Sequence, residues 1–61
     1  MTVNQLIKRL RAAGCRLVRH GRRHDLWFSP ITGLTRSVPR HGSKGVKIGL
    51  LKSLEKDLLG L

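Results

Sequence analysis

Both ends of the chain have apolar residues at the spacing of an amphipathic helix, and this pattern limits the fold more than any other feature. The two apolar stripes consist of Val3, Leu6, Ile7 and Leu10, and of Ile48, Leu51, Leu54 and Leu58. Recurrence at i, i+3, i+4 and i+7 places each set on one face of a helix. Such a face has to be buried against another element. The sequence therefore predicts helices over residues 3–13 and 47–59, packed on the segment between them.

Capping residues support the first helix. Thr2 precedes Gln5 by three residues, which is the spacing of a capping box. Gly14 follows the last apolar residues, where glycine can adopt the positive φ of a helix C-terminus. Gly60 is expected to end the second helix in the same way.

The middle of the chain is typical of strands. Segments rich in apolar and β-branched residues occupy positions 15–20, 24–29 and 34–38. Turn residues separate them, Pro39 closes the third strand, and a basic loop from Gly42 to Gly45 precedes the second helix. We expect an α+β fold of order α-β-β-β-α, in which both helices cover one face of a three-stranded antiparallel sheet and leave the other face open.

Length and charge limit the function. A chain of 61 residues is expected to form a single domain, residues 1–61, which buries only about 60% of its unfolded surface. So small a core cannot enclose a cofactor pocket, and we therefore expect no cofactor and a large substrate bound at the surface. The net charge of +10 makes a polyanion the natural partner.

The cysteine and histidine content argues against metal and disulfide chemistry. Cys15 is the only cysteine and is expected to be a small buried hydrophobe. The spacings of Cys15, His20, His24 and His41 match no zinc motif, so no metal site is predicted. Because no signal peptide or apolar run of about 18 residues is present, we expect a cytoplasmic protein without membrane association.

Two histidines flank the first predicted turn. His20 and His24 enclose Gly21, Arg22 and Arg23, so a tight hairpin would bring the imidazoles together with two arginines at its tip. RNA cleavage needs a base for the ribose 2′-hydroxyl proton and cations for the phosphate, and it needs no metal. Surface histidines more often have no function, and the spacing alone does not decide between a nuclease and a protein that only binds RNA.

Alternation along the second strand does not decide on which face of the sheet His24 lies. Trp27 and Phe28 point to opposite faces, and a core position for Trp27 would place His24 on the uncovered face. If Leu26 and Phe28 face the helices instead, His24 lies on their side. Asp25 projects away from His24 in either case and is expected to form a salt bridge with a nearby arginine.

Four segments together resemble a known family. They are Gly-Cys-Arg-Leu-Val-Arg (14–19), Arg-Arg-His-Asp-Leu-Trp-Phe-Ser-Pro (22–30), Ser-Val-Pro-Arg-His (37–41) and Gly-Leu-Leu-Lys-Ser-Leu (49–54). This pattern is similar to the HicA toxins, the small mRNA interferases of bacterial and archaeal toxin–antitoxin systems. The resemblance implies a fold like that of double-stranded-RNA-binding domains, a HicB-type antitoxin as partner, and a catalytic role for His24. Arg22 and Arg23 occupy positions where the family commonly has Gly and Ser.

The combined expectation is a metal-independent endoribonuclease that cleaves mRNA, with His24 as general acid or base. Expected phosphate-binding residues are Arg22, Arg23, Arg40, Lys44 and Lys47, the two lysines because they precede the second helix as in double-stranded-RNA-binding domains. Two alternatives remain, a module that binds double-stranded RNA without cutting it and a basic protein associated with the ribosome. Neither alternative requires a titrating histidine at the start of a strand.

Overall fold

The computed structural model describes residues 1–42 and 44–61, and its elements follow the predicted order. They are α1 (Val3–Ala12), β1 (Arg16–His20), β2 (His24–Phe28), β3 (Thr35–Pro39) and α2 (Ile48–Leu54), the last continued by a π-helical turn (Glu55–Leu59). The strands form one antiparallel sheet in the order β1-β2-β3. The predicted α+β architecture is confirmed. Ser43, part of the predicted basic loop, lies outside the described residues.

The predicted capping of α1 is confirmed at both ends. The Thr2 hydroxyl accepts a hydrogen bond from the Gln5 backbone N–H, and the Gln5 side chain accepts one from the Thr2 N–H at 2.8 Å. Gly14 follows the C-cap residue Ala13 with a φ of 89°. A side chain would be strained in that conformation, so glycine lets the chain turn directly from α1 into β1.

The second helix differs from the prediction in its last turn. The predicted helix over residues 47–59 is α-helical only for Ile48–Leu54 and widens into the π-helical turn Glu55–Leu59. Carbonyl groups at its end bond to the chain that follows β2. Leu58 accepts from the buried Ser29 hydroxyl, and Asp57 accepts from the Thr32 hydroxyl. These contacts tie the C-terminus of the helix to the end of β2, which hydrophobic spacing alone does not reveal.

One face of the sheet and both helices enclose the hydrophobic core. Its buried residues are Leu6, Leu10, Cys15, Trp27, Val38, Leu51, Leu54 and Leu58. Two ion pairs outside the core connect the C-terminal helical turn to α1 and to β3. Arg9 on α1 contacts Glu55 at 2.8 Å, and Arg36 on β3 contacts Asp57. Both helices therefore pack on one face of the sheet, and the other face is uncovered in the part of the chain that the structure describes.

A β-bulge interrupts the pairing of β1 with β2. Leu17 pairs with Trp27, whereas Arg19 pairs with Leu26, so that Val18 is the extra residue on β1. Directly opposed residues of an antiparallel pair share a face of the sheet. The bulge therefore moves Arg19 to the open face and His20 to the face that the helices cover.

The turn between β1 and β2 requires glycine at its first position. The Gly21 backbone N–H donates to the His24 carbonyl at 2.7 Å. A Cβ on residue 21 would lie 2.5 Å from that carbonyl oxygen, closer than real contacts allow. Gly21 thus permits the close approach that holds the backbone of His24.

Candidate catalytic and nucleic-acid interface

Burial of Trp27 decides which way His24 faces. Trp27 is 3% exposed and belongs to the core, so Asp25 shares its side of β2. His24, Leu26 and Phe28 consequently lie on the open face, and His24 is exposed to solvent. This is the first of the two arrangements that the sequence left open.

The expected proximity of His20 and His24 is wrong. The strand register pairs His20 with Asp25, the neighbour of His24, and consecutive strand residues project to opposite faces. The bulge at Val18 is the physical cause, because it changes the phase of β1 just before His20. The two imidazoles are therefore on different sides of the sheet.

Asp25 is the centre of a small polar cluster at this end of the sheet. Its Oδ1 lies 2.9 Å from His20 Nδ1 and 3.0 Å from Arg40 Nε. The predicted salt bridge from Asp25 to an arginine is thus confirmed, with Arg40 as the partner. Arg40 also donates to the Gly21 carbonyl. It therefore connects the end of β3 to the turn that contains Arg22 and Arg23.

The charged form of Asp25 is favoured by these neighbours. The hydrogen bond from the His20 side chain is the largest influence that lowers the pKa of Asp25, burial opposes it, and the Arg40 guanidinium lowers the pKa further. The net pKa of Asp25 lies below its ordinary value. A carboxylate held in this way is a structural anchor for the turn.

Two open grooves meet at His24. The first, which we name the sheet groove, has a volume of about 340 Å³ and is lined by Arg19, Gly21, Arg22, Arg23, His24, Leu26 and Ser37. The second, which we name the loop groove, has a volume of about 380 Å³ and is lined by Val3, Arg23, His24, Pro39, His41, Lys44, Gly45, Val46, Lys47 and Leu50. Arg23 and His24 line both grooves. The two grooves therefore border each other at Arg23 and His24.

The loop groove has a wall that is tied to the start of α1. The N–H groups of Val3 and Asn4, which a helix leaves without internal partners, donate to the carbonyls of Lys44 and Gly42 at 2.9 and 3.0 Å. Val46 N–H donates to the Met1 carbonyl at 2.8 Å. These backbone bonds hold Gly42, Lys44 and Val46 against the N-terminal end of α1.

Charge pairing leaves most of the basic residues without a partner. The chain has three acidic residues, and each is paired: Glu55 with Arg9, Asp57 with Arg36, and Asp25 with Arg40. Across residues 1–42 and 44–61 no ion pair involves the other ten cations, which are Lys8, Arg11, Arg16, Arg19, Arg22, Arg23, Lys44, Lys47, Lys52 and Lys56. Half of these ten line the two grooves. The grooves are therefore strongly electropositive.

The structure brings four of the five predicted phosphate-binding residues to the grooves and assigns the fifth a contact within the protein. Arg22, Arg23, Lys44 and Lys47 line a groove, whereas Arg40 bonds to Asp25 and Gly21. Sequence reasoning missed two further groups.

Arg19 and Arg16 are the two groups that the sequence did not single out. Arg19 enters the sheet groove only because of the bulge, and the Arg16 guanidinium lies 5.3 Å from the centre of the Phe28 ring. Regular alternation along β1 would have put Arg19 on the covered face. The concentration of arginine in β1 was the available signal.

Among the described residues, no group of three or more His, Cys, Asp or Glu side chains is arranged to hold a metal ion. Cys15 is buried, and its thiol contacts the Leu58 carbonyl at 3.4 Å. None of the helices described here has the length and apolar character needed to cross a bilayer.

Comparison with known proteins gives one result. The family model for the HicA toxin of bacterial toxin–antitoxin systems matches residues 3–59 of the 61-residue chain. Comparison with curated proteins finds no match, and neither does comparison with solved structures. The matched range includes the described helices and strands and the residues that line the two grooves.

Replacing Asp25 by Asn should remove part of the acid sensitivity of the fold. A carboxylate with a depressed pKa stabilises the folded state above its unfolded pKa of about 3.9, and this contribution is lost as the pH falls through the folded pKa. At neutral pH, D25N should therefore be less stable, by about 1–3 kcal/mol, the cost of an incompletely bonded buried polar group. Below the folded pKa the wild-type and D25N stabilities should converge.

Urea unfolding at a series of pH values measures this difference. Arg40→Gln in the otherwise wild-type protein is the matched control. It removes a cation that Asp25 contacts and keeps the Asp25 carboxyl group. Parallel stability curves for wild type and D25N from neutral to acid pH would contradict the role assigned to Asp25.

Proposed function

Because the chain belongs to the HicA toxin family of bacterial toxin–antitoxin systems, we propose that it is a metal-independent endoribonuclease that cleaves mRNA. Membership makes the protein a toxin whose partner is an antitoxin. In the proposal, His24 moves a proton in the cleavage step and the grooves bind the RNA backbone. With mRNA as its substrate, the proposed activity would be cytoplasmic.

The observation that supports this proposal best is the position of His24 where the two cation-lined grooves meet. In the proposal, one RNA strand occupies both grooves and crosses the border that Arg23 and His24 share. Histidine is the side chain whose ordinary pKa is nearest neutrality, and it therefore both accepts and donates protons under physiological conditions. A protein that only binds phosphates would need cations at this point and no imidazole.

The proposed reaction uses the ribose 2′-hydroxyl as nucleophile. His24 removes the proton from this hydroxyl, the 2′-oxygen forms a bond to phosphorus, and the bond between phosphorus and the 5′-oxygen breaks. Arg22 and Arg23 stabilise the negative charge that develops on the phosphate oxygens, and Lys44 and Lys47 bind the backbone on the other side. DNA lacks the 2′-hydroxyl, so it would bind in the grooves without being cut.

Arg40 has a positioning role in this scheme. Its bonds to Asp25 and to the Gly21 carbonyl hold the turn from which Arg22 and Arg23 extend. The family commonly has Gly and Ser at these two positions, and the two arginines add cations next to the reacting phosphate in this chain.

The antitoxin in this proposal is a HicB-type protein that covers the grooves. Ten cations without an ion-pair partner in the described structure offer a complementary surface for an acidic partner, and charges of opposite sign accelerate encounter. Covering His24 would deny RNA access to the site without any conformational change in the toxin.

His24→Ala should abolish RNA cleavage while the fold remains intact. His24 is exposed and contributes little to the core, and loss of one general acid or base lowers rates by about 10²- to 10⁴-fold. The assay is incubation of the purified protein with mixed mRNA in EDTA, followed by separation of the fragments. The control is Lys52→Ala, which changes an exposed residue outside both grooves. RNA binding without cleavage by the wild-type protein would favour the alternative of a binding module, and full activity of H24A would refute the assignment.

Replacing Arg22 and Arg23 together by Gln should make RNA binding less sensitive to salt. Each phosphate contact with single-stranded nucleic acid contributes about −0.7 to the slope of log K against log[salt], so losing two contacts should reduce the slope by about 1.4. The control is Lys52→Gln with Lys56→Gln, which lowers the net charge equally at two exposed positions outside both grooves. Equal slopes for the two double variants would show that the grooves have no special part in binding.

Co-expression with the neighbouring open reading frame should give a complex that does not cut RNA. Amide hydrogen exchange should show added protection at residues 20–26, where the turn and His24 lie. Association should become slower as salt rises, because rim charges mainly affect the rate of encounter. An inhibited complex with unchanged exchange over residues 20–26 would place the antitoxin elsewhere, and a complex as active as the free toxin would contradict inhibition.

A further inference from the structure

A second histidine lies in the loop groove, and the mechanism above leaves it without a role. We propose that His41 is the general acid of the cleavage reaction, the group that gives a proton to the departing 5′-oxygen. The inference rests on the proposed function and assigns the second of its two proton transfers. The supporting observation is that His24 and His41 line the same groove.

His41 is exposed, yet the chain on both sides of it is held in place. On one side, Arg40 is bonded to Asp25 and to the Gly21 carbonyl. On the other side, the Gly42 carbonyl accepts from Asn4 N–H at 3.0 Å, and the His41 carbonyl itself accepts from Lys44 N–H at 3.1 Å. The backbone at His41 is therefore held between bonded neighbours, and His41 lines the groove from that position.

The third histidine does not compete for this role. His20 lies on the face covered by the helices, and its Nδ1 is 2.9 Å from Asp25 Oδ1. It borders neither groove. The strand register therefore separates His20 from His41.

The charged groups around His41 suit a reaction at a phosphate. Arg23, His24, Lys44 and Lys47 line the groove, whereas the residues contributed by β3 and by both helices are uncharged. None of the described residues that line this groove is a carboxylate. An RNA phosphate is therefore the anion that this groove would hold.

With two histidines the cleavage step is balanced. Neutral His24 takes the proton of the 2′-hydroxyl as the 2′-oxygen bonds to phosphorus. Protonated His41 gives its proton to the 5′-oxygen as that oxygen leaves, and the products are a 2′,3′-cyclic phosphate and a 5′-hydroxyl. His24 is then protonated and His41 is neutral, and proton exchange with water restores both.

A substrate that needs no general acid tests the role of His41 directly. The probe is an RNA oligonucleotide with a single 5′-bridging sulfur at the cleaved linkage, because a thiolate leaves without protonation. His41→Gln should lower the cleavage rate of ordinary RNA by about 10²-fold or more and that of the sulfur-containing RNA less than tenfold. His24→Gln should impair both substrates, and Lys52→Gln, at an exposed position outside both grooves, should impair neither.

The pattern of rates separates the two hypotheses. Equal losses of H41Q on the two substrates would assign His41 to RNA binding and overturn the proposal, as would an H41Q variant with wild-type rates. In both cases loss of activity in H24Q would leave the proposed nuclease intact. If the wild-type protein cut neither substrate, the proposed function and the role of His41 would fail together. Thermal unfolding of each variant separates loss of chemistry from loss of fold.

Discussion

Burial of the Trp27 ring is the constraint on which the rest of the site depends. The indole occupies the core between the sheet and both helices, the Arg11 guanidinium lies 5.3 Å from its centre, and its Nε1–H has no hydrogen-bond partner among the described residues. Leaving that donor unpaired costs about 1–3 kcal/mol, which the large apolar area of the ring offsets. Because alternation along β2 is strict, Trp27 in the core forces His24 outward. Core packing of Trp27 thus determines the direction of the His24 side chain, although His24 is not part of the core.

Ion pairing within the described structure divides the basic residues into three that are neutralised and ten that are not. The three carboxylates neutralise Arg9, Arg36 and Arg40, all of which brace contacts between elements. The cations at the grooves are left to repel one another, a repulsion that RNA or an acidic protein would relieve. Binding of either partner should therefore also increase the stability of the toxin fold.

Features that depend on neighbouring residues could be predicted from the sequence, whereas features that depend on distant residues could not. The caps of α1, the order of elements and the core position of Cys15 depend on residues near in sequence, and they are confirmed. The loop groove could not be predicted, because the bonds from Val3 and Asn4 to the segment around Lys44 join positions about forty residues apart. The sequence suggested phosphate binding for Arg40, whereas the fold places Arg40 beside Asp25. The bulge at Val18 likewise follows from packing over the whole sheet and not from the residues of β1.

That bulge has a consequence for the behaviour of the free protein in solution. A sheet of three strands has two outer edges, and unpaired backbone groups on an edge invite strands of other molecules to add. On β1 the irregularity at Val18 interrupts the flat pairing pattern, and Arg16 and Arg19 place charge along the same edge. On β3 the terminal Pro39 offers no N–H. The bulge that directs Arg19 to the open face thus also discourages edge-to-edge aggregation. This protection matters in a small chain whose helices cover only one face of its sheet.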